Sequence, residues 1–151
     1  MRTRASAFWF LVILYSAIVV PVIPRSACSN EEQKETIKII RSLAVAIQSY
    51  NVDEDKYPKA KDSSALAKAI EPDYIGKCPS KDAWGNELVY KVSKDRKHFR
   101  IASPGADGLF EEGSTTIGKA GVPFPCQDLN ADIIWEDDAF IQNPLPDESK
   151  Q

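Results

Sequence analysis

The fold is decided by residues 37–50, which read IKIIRSLAVAIQSY. Apolar side chains recur in this stretch at spacings of three and four residues, which places them on one face of an α-helix. Upstream, Ser29 and Glu32 fit a capping box, in which a hydroxyl and a carboxylate satisfy the first backbone N–H groups of a helix. We therefore predict a long amphipathic helix from about Asn30 to Asn51. Its apolar stripe consists of Ile37, Ile40, Leu43, Ala44, Ile47 and Tyr50.

Downstream of this helix, the sequence predicts a shorter helix, a β-hairpin and a last strand. These segments are a helix that Ser63 or Ser64 can cap and that ends at Ile70, strands at residues 88–92, 99–102 and 133–135, and a turn at residues 93–97. Residues 103–130 form a loop rich in glycine and proline, and so long a loop in a small domain is usually functional or tied down. The predicted fold class is α+β: a long N-terminal amphipathic helix packed on a small antiparallel sheet, with a long C-terminal loop.

The charge of the chain restricts its partners and its chemistry. The 151 residues carry 19 Lys+Arg against 22 Asp+Glu, a formal net charge of −3, and this length allows one domain. The first 27 residues hold three arginines and no acid, so the remainder stands at 16 − 22 = −6. An acidic body without a long basic run argues against nucleic acid as a partner. His98 is the single histidine, no nucleophile motif accompanies it, and no pair of acids has catalytic spacing, so we predict no enzymatic activity.

The N-terminal segment predicts export. Two arginines precede an uncharged run from Ala5 to Pro24, which is the pattern of a secretory signal or a membrane anchor. Residues 25–28 read RSAC, and small residues before a cysteine resemble a bacterial lipobox, although an arginine stands where the lipobox has an apolar residue. Three fates are open: lipidation of Cys28, ordinary cleavage near Ala27 or Ser29, and a retained anchor.

The chain accordingly divides into three parts. Residues 1–27 are a signal peptide or membrane anchor, and residues 28–142 form the globular domain. Residues 143–151 are polar, contain two prolines and predict a disordered tail.

The cysteine count bears on the fate of the first cysteine. An exported protein meets an oxidising compartment, where cysteines can pair. If Cys28 carries lipid, Cys78 and Cys126 can form a disulfide and leave no odd thiol. The alternative is two small buried residues that never pair. Three cysteines without supporting histidines do not indicate a zinc site.

Three aspartates in or beside the long loop suggest a site for a hard cation. Asp107 has glycines close on both sides, which let backbone carbonyls turn inward, and Asp128 and Asp132 lie near turns of the chain. Calcium takes about six to eight oxygen ligands, and carbonyls with a few carboxylates supply them. From this chemistry alone, hydrated turn aspartates are the alternative interpretation.

Short motifs follow one another along the domain. They read LAVAIQSY at residues 43–50, DKYP at 55–58, SALAKAI at 64–70, DAWGNELVY at 82–90, FRIASPGADG at 99–108 and NADI at 130–133. In this order they resemble the head domain of the major, G-type pseudopilin of type II secretion, with Ala83 where that family usually has proline. The resemblance implies the pseudopilin form of the α+β fold.

The resemblance also implies a calcium site in the long loop, because the head of the family binds calcium there. By position, Asp107 would give its carboxylate, and the carbonyls of Pro104 and Leu109 would complete one side. This loop is longer than the family's, so the later ligands are harder to place. The candidates are Asp128 as first choice, Asp132 as second, and Glu111 or Glu112.

The N-terminus departs from the family. Pseudopilins have a glycine at the leader processing site and a glutamate at the fifth mature position. In this chain the first glycine is Gly76 and the first acid is Glu31. The resemblance therefore covers the head and leaves assembly by the usual route in question.

These observations predict a non-enzymatic protein of the bacterial cell envelope, exported to the periplasm and attached to a membrane by lipid or by its N-terminal helix. It would act with the proteins of a type II secretion or pilus-like apparatus. The alternative is a free-standing periplasmic lipoprotein that uses the same fold to bind a ligand or a protein. A deep apolar pocket walled by Trp84, Tyr90 and Phe99 would favour that alternative, and a filled core there would count against it.

Overall fold

The computed structural model describes residues 30–144, which contain two helices and one four-stranded antiparallel sheet. In chain order the elements are α1 (Glu31–Glu54), α2 (Ser63–Ile70), β1 (Val89–Val92), β2 (Phe99–Ser103), β3 (Ile133–Glu136) and β4 (Ala139–Gln142). The sheet order is β1-β2-β3-β4, so each strand pairs with its neighbour in sequence. The α+β fold class predicted from the sequence is confirmed.

Helix α1 has a defined cap at each end. The side chain of Asn30 accepts a hydrogen bond from the Gln33 backbone N–H at 3.0 Å, whereas the predicted cap, Ser29, lies outside the described residues. The helix ends at Glu54, because the next residue, Asp55, has a left-handed φ of 56° that stops the helical path. It therefore runs one turn beyond the predicted end at Asn51, because no glycine or proline interrupts residues 52–54.

One face of α1 packs against the sheet. Ile40, Leu43, Ala44 and Ile47 are almost fully buried, as the stripe predicted, and the helix contacts both β2 and β3. Each such aliphatic side chain contributes about 1.5–3 kcal/mol through removal of its surface from water, with alanine contributing less. The helix thereby covers the central strands.

Helix α2 has an aspartate cap. Asp62 accepts from the Ala65 backbone N–H at 2.8 Å, where the sequence predicted that Ser63 or Ser64 would do so. A carboxylate is at least as good an N-cap as a hydroxyl, and its negative charge also interacts favourably with the positive N-terminal end of the helix dipole. Leu66 and Ile70 are buried, so this short helix joins the same core.

The sheet is built around β2, in which every residue is buried. The predicted hairpin of β1 and β2 is present, with Tyr90 opposite Ile101 and Val92 opposite Phe99. On the other side, Ile101 lies opposite Trp135 of β3. Strand β4 was not predicted, because it is a half-exposed edge strand of four residues whose pairing depends on a turn at Asp137.

The place of the hypothesised ligand pocket is filled by side chains. The Phe99 ring lies 4.6 Å from the Tyr57 ring and 6.3 Å from the Tyr90 ring, measured between centroids. The Tyr90 hydroxyl donates to the Pro58 carbonyl at 2.8 Å, and Trp84 packs against the same core. This is core packing, which counts against the ligand-binding alternative.

The predicted bridge between Cys78 and Cys126 is not formed. Cys78 is a free, buried cysteine, and burial raises the pKa of its thiol to about 11. It follows α2, and its backbone N–H is bonded to the Glu71 side chain. Sequence spacing alone could not show that this position is closed off inside the core.

The C-terminal end of the described region packs against the long loop. The Phe124 backbone N–H donates to the Asn143 carbonyl at 3.2 Å, and Phe124 forms an isolated bridge with Pro144. The packed region thus reaches residue 144, two residues into the predicted tail.

Within residues 30–144, no helix combines the length and apolar character that crossing a membrane requires.

Candidate metal centre

The start of the long loop is tied to the turn between α2 and β1. Asp82 is buried, and its side chain accepts from the backbone N–H groups of Trp84 and Asn86 and from the Ser103 hydroxyl at 2.7 Å. The Asn86 amide donates in turn to the Gly105 carbonyl at 2.8 Å. Residues 82–86 (DAWGN) therefore position the turn at residues 103–108 (SPGADG), a role that was not predicted from the sequence.

Gly105 brings both ends of the loop together. Its φ is +69°, and a Cβ built there would lie 2.8–2.9 Å from the backbone carbonyl oxygens of residues 129–131. The next residue, Ala106, donates its backbone N–H to the Leu129 carbonyl at 2.7 Å. Only glycine combines that conformation with so close an approach of two backbones. The SPGADG turn consequently lies against the segment that leads into β3.

Asp132 is the most unusual acid in this region. It immediately precedes β3 and is fully buried. Its Oδ2 accepts from the Glu111 backbone N–H at 2.9 Å, but its Oδ1 has no hydrogen-bond partner among residues 30–144. A buried, unpaired carboxylate oxygen is costly, because its water is lost without replacement. Burial accordingly raises the pKa of Asp132.

The charges of two further carboxylates act on Asp132. After burial, the negative charges of Glu111 and Asp107 also raise the pKa of Asp132, whereas the nearby Ser114 hydroxyl and the Glu111 backbone N–H act to lower it. Asp107 is exposed, and its Oδ1 accepts from the Leu109 backbone N–H at 2.9 Å. A buried carboxylate under the influence of other negative charges is the electrostatic condition that a divalent cation relieves.

Asp128, the first-choice ligand from the sequence, has a different setting. Its side chain is exposed and accepts from the Asn130 backbone N–H at 3.2 Å. Together with Glu111 and Glu112 it lines a cavity of about 340 Å³ under the loop. The charges of Asp107 and Glu111 therefore act on Asp132, whereas Asp128 lies at the cavity that Glu111 also lines.

The backbone ligands implied by the resemblance flank Asp107. Pro104 is buried at the end of β2, and Leu109 is exposed on the far side of the turn. Among the side chains of residues 30–144, no three histidine, cysteine or acidic groups stand in ready-made metal-binding geometry. The donors that suit calcium here are carboxylate oxygens with an unpaired buried member, complemented by carbonyls.

A buried ion pair fixes the second half of the loop. Arg100 in β2 is 1% exposed, and its Nη2 lies 2.5 Å from a carboxylate oxygen of Glu136 in β3. The same guanidinium donates to the carbonyls of residues 113, 114 and 119, and Glu136 also accepts from the Gly118 backbone N–H. Sequence reasoning missed this cluster, although an arginine within an otherwise apolar strand is a signal for it.

The remaining predicted positions have simpler outcomes. His98 is exposed and pairs with Asp137, Nδ1 to Oδ2 at 2.8 Å, and this hydrogen bond raises the pKa of the imidazole. His98 is thus a surface histidine directly before β2, and its partner Asp137 lies in the turn between β3 and β4. Cys28, the predicted lipidation site, lies outside the described residues.

A long capped helix on a four-stranded antiparallel sheet, with a long glycine-containing loop after β2, is the α+β form that the sequence resemblance implied. Residues 25–119 match the family model of type II secretion system (T2SS), protein G, and the chain belongs to that family. The resemblance predicted from the sequence is confirmed. Comparison with curated proteins gives no match.

The family membership fixes the general role. A pseudopilin is a structural component of a secretion system in the cell envelope, not an enzyme. The matched segment contains Asp107 and Glu111, whereas Asp128 and Asp132 lie beyond its end at Lys119. The candidate metal centre therefore joins matched and unmatched parts of the chain.

Proposed function

We propose that the protein is exported, attached to a membrane through its N-terminal segment, and acts as a pseudopilin subunit of a type II secretion or related pilus-like apparatus, with its head stabilised by calcium. The observation that carries the proposal is the match to protein G of type II secretion over residues 25–119. In support, the head is preceded by an uncharged apolar run with arginines before it. The proposed partners are the proteins of that apparatus.

A face of α1 supports contacts with such partners. Val45 is 54% exposed and Val52 is 81% exposed, although both lie on a helix whose opposite face is core. Beside Val45, a shallow groove is lined by Arg41, Tyr74 and Ile75. Apolar side chains beside a groove suit packing against another protein more than against water.

Deletion of the gene in its host tests the secretory role. We expect the normally secreted proteins to disappear from the culture medium and to accumulate in the periplasm, and the intact gene on a plasmid should restore secretion. The matched variants V45D and V122D each place an acid at an exposed valine, one on α1 and one in the long loop. The first should fail to restore secretion and the second should succeed. Unchanged secretion after deletion would refute the proposal.

The calcium part of the proposal depends on Asp132. Its unpaired buried oxygen, with Asp107 and Glu111, whose charges act on Asp132, would give the carboxylate ligands, and the carbonyls of Pro104 and Leu109 would add neutral ones. When bound, the cation would neutralise the mutual repulsion of the acids and replace the missing partner of the oxygen. The consequence is a long loop fixed against the start of β3.

Thermal unfolding of the full chain in excess calcium and in excess chelator tests this part. At about 100 times the dissociation constant, a ligand specific for the folded state adds about 2.7 kcal/mol, which raises the Tm by roughly 10 °C. Asp132→Asn should abolish that rise, and Asp138→Asn, an exposed acid outside the cluster, should keep it. Equal Tm values of the unaltered protein in calcium and in chelator would contradict calcium binding.

A further inference from the structure

The two described cysteines differ in their bonding state. The chain contains three cysteines. Cys78 is free and buried, whereas Cys126 is disulfide-bonded. Within one chain, the cysteine that is left to pair with Cys126 is Cys28.

The described residues bring the neighbours of these two cysteines together. Cys126 lies in a turn that closes with a hydrogen bond from the Asp128 backbone N–H to the Pro125 carbonyl, at 2.9 Å. The carbonyl of Asp128 accepts from the side-chain amide of Gln33 at 3.4 Å, and Gln33 is buried in the first turn of α1. The first turn of α1 therefore lies against the turn that contains Cys126.

The length of the intervening chain also fits. Cys28 precedes the α1 cap, Asn30, by two residues, which span at most about 7 Å. Disulfides join residues whose Cα atoms are about 4.4–6.8 Å apart. Cys126 is 9% exposed, so its side chain is largely shielded from solvent, as a disulfide-bonded cysteine usually is.

We propose that Cys28 and Cys126 form a disulfide that fastens the end of the long loop to the start of α1. Two thiols become one S–S bond with loss of two protons and two electrons, and the electrons reduce a disulfide donor of the oxidising compartment to its dithiol. The bond forms in the cell because the protein is exported, so that step rests on the proposed function. A sulfur in this bond cannot also carry a thioether-linked lipid, so the disulfide and lipidation of Cys28 exclude each other.

The bond would join parts of the chain that the family match separates. Cys28 lies near the start of the matched residues 25–119, and Cys126 lies beyond their end. Closing so long a segment restricts the unfolded chain, which stabilises the folded state. It also holds the loop close to Asp128 and the candidate metal centre.

Peptide mapping of the full chain, extracted with a thiol-blocking reagent and digested without reductant, tests the pairing. Trypsin cuts after Lys34 and releases residues 78–81 and 120–150 as separate peptides. We expect the peptide that ends at Lys34 to be linked to 120–150, and the blocking reagent to reach Cys78 only after denaturation. A lipid on Cys28, a link from Cys78 to Cys126, or blocking reagent on both Cys28 and Cys126 would overturn the proposal.

A test in the test tube separates the pairing from export. The reduced full chain, refolded with oxidised glutathione, should form the same link even if the protein is not exported in the cell. Cys28→Ser and Cys126→Ser should each lower the Tm by roughly 10 °C, and the double variant by no more than either. A Cys78→Ser variant should retain the linked peptides. Additive losses in the double variant, or the same Tm for the oxidised and reduced protein, would refute a bond between them.

Discussion

Replacement of Glu136 by glutamine tests how the long loop is held on the sheet. Glu136 is 15% exposed and neutralises Arg100, which is 1% exposed. Glutamine has nearly the same shape and can still accept a hydrogen bond from the Gly118 backbone N–H. The substitution therefore removes the negative charge and leaves a buried guanidinium whose other partners are neutral carbonyls.

The cost of this change follows from the burial of the pair. Removing one member of a buried ion pair costs about 3–5 kcal/mol, because the other charge remains without water or a counter-charge. Glu136 keeps some contact with solvent, so we expect the lower end, about 3 kcal/mol. A domain of this size has a total stability of about 5–15 kcal/mol. The expected loss is thus a large fraction of the total and lowers the Tm by roughly 10 °C.

Urea unfolding, followed by tryptophan fluorescence, measures the loss. The control is Lys91→Met, because Lys91 is an exposed cation directly opposite Arg100 in the β1–β2 register. That variant should change the unfolding free energy by less than about 0.5 kcal/mol. Hydrogen exchange should also become faster at residues 113–119 in the Glu136 variant. A loss below about 1 kcal/mol, with unchanged exchange in the loop, would refute the assigned role of the pair.

The remaining predictions concern the loop and two titrating groups. Gly105→Ala should cost about 2–4 kcal/mol of unfolding free energy in urea, because the new Cβ meets three backbone carbonyl oxygens. Gly118→Ala, at a positive φ but in open space, should cost about 1 kcal/mol. Equal losses would contradict the close approach of the two backbones at Gly105. The imidazole of His98 should titrate in NMR above its ordinary pKa, and Asp137→Asn should lower that pKa. The stabilisation from the pair is complete below the ordinary pKa of histidine and is lost as pH rises through the raised pKa. An unchanged His98 pKa in the variant would count against the pair. Without calcium, the charged form of Asp132 destabilises the fold above its raised pKa, and this destabilisation declines as pH falls through that pKa. Asp132→Asn should therefore flatten that part of the profile of stability against pH. An identical profile in the variant would argue that the titration of Asp132 does not affect stability.

Periodic elements were predictable from the sequence because burial imposes their spacing. The stripe through Ile40, Leu43 and Ile47 and the hairpin of β1 and β2 are local patterns, and the structure has both. The end of α1 was misplaced because polar residues are compatible with both helix and loop. Strand β4 was missed for a similar reason, since an edge strand needs little apolar surface.

The candidate site was harder to predict because its parts come from distant positions. Asp107 was identified by its glycine-rich turn, which is local. Asp132 ranked below Asp128, although an acid directly before three apolar strand residues is a signal for a buried carboxylate. The pairing of Arg100 with Glu136 spans the entire loop, and the burial of Cys78 depends on how α2 packs. Such long-range contacts leave no spacing rule in the sequence.

The contacts across the end of the family match argue that the head is one folding unit. The match stops at Lys119, yet β3 lies beyond it and pairs with the fully buried β2. Gly105 contacts the backbone of residues 129–131, and Arg100 has its counter-charge in β3. Without those partners, the matched segment would leave a central strand with an open edge and a buried cation without an acid, both of which are destabilising. The residues after Lys119 are therefore part of the pseudopilin head, and the matched segment by itself is not an independent domain.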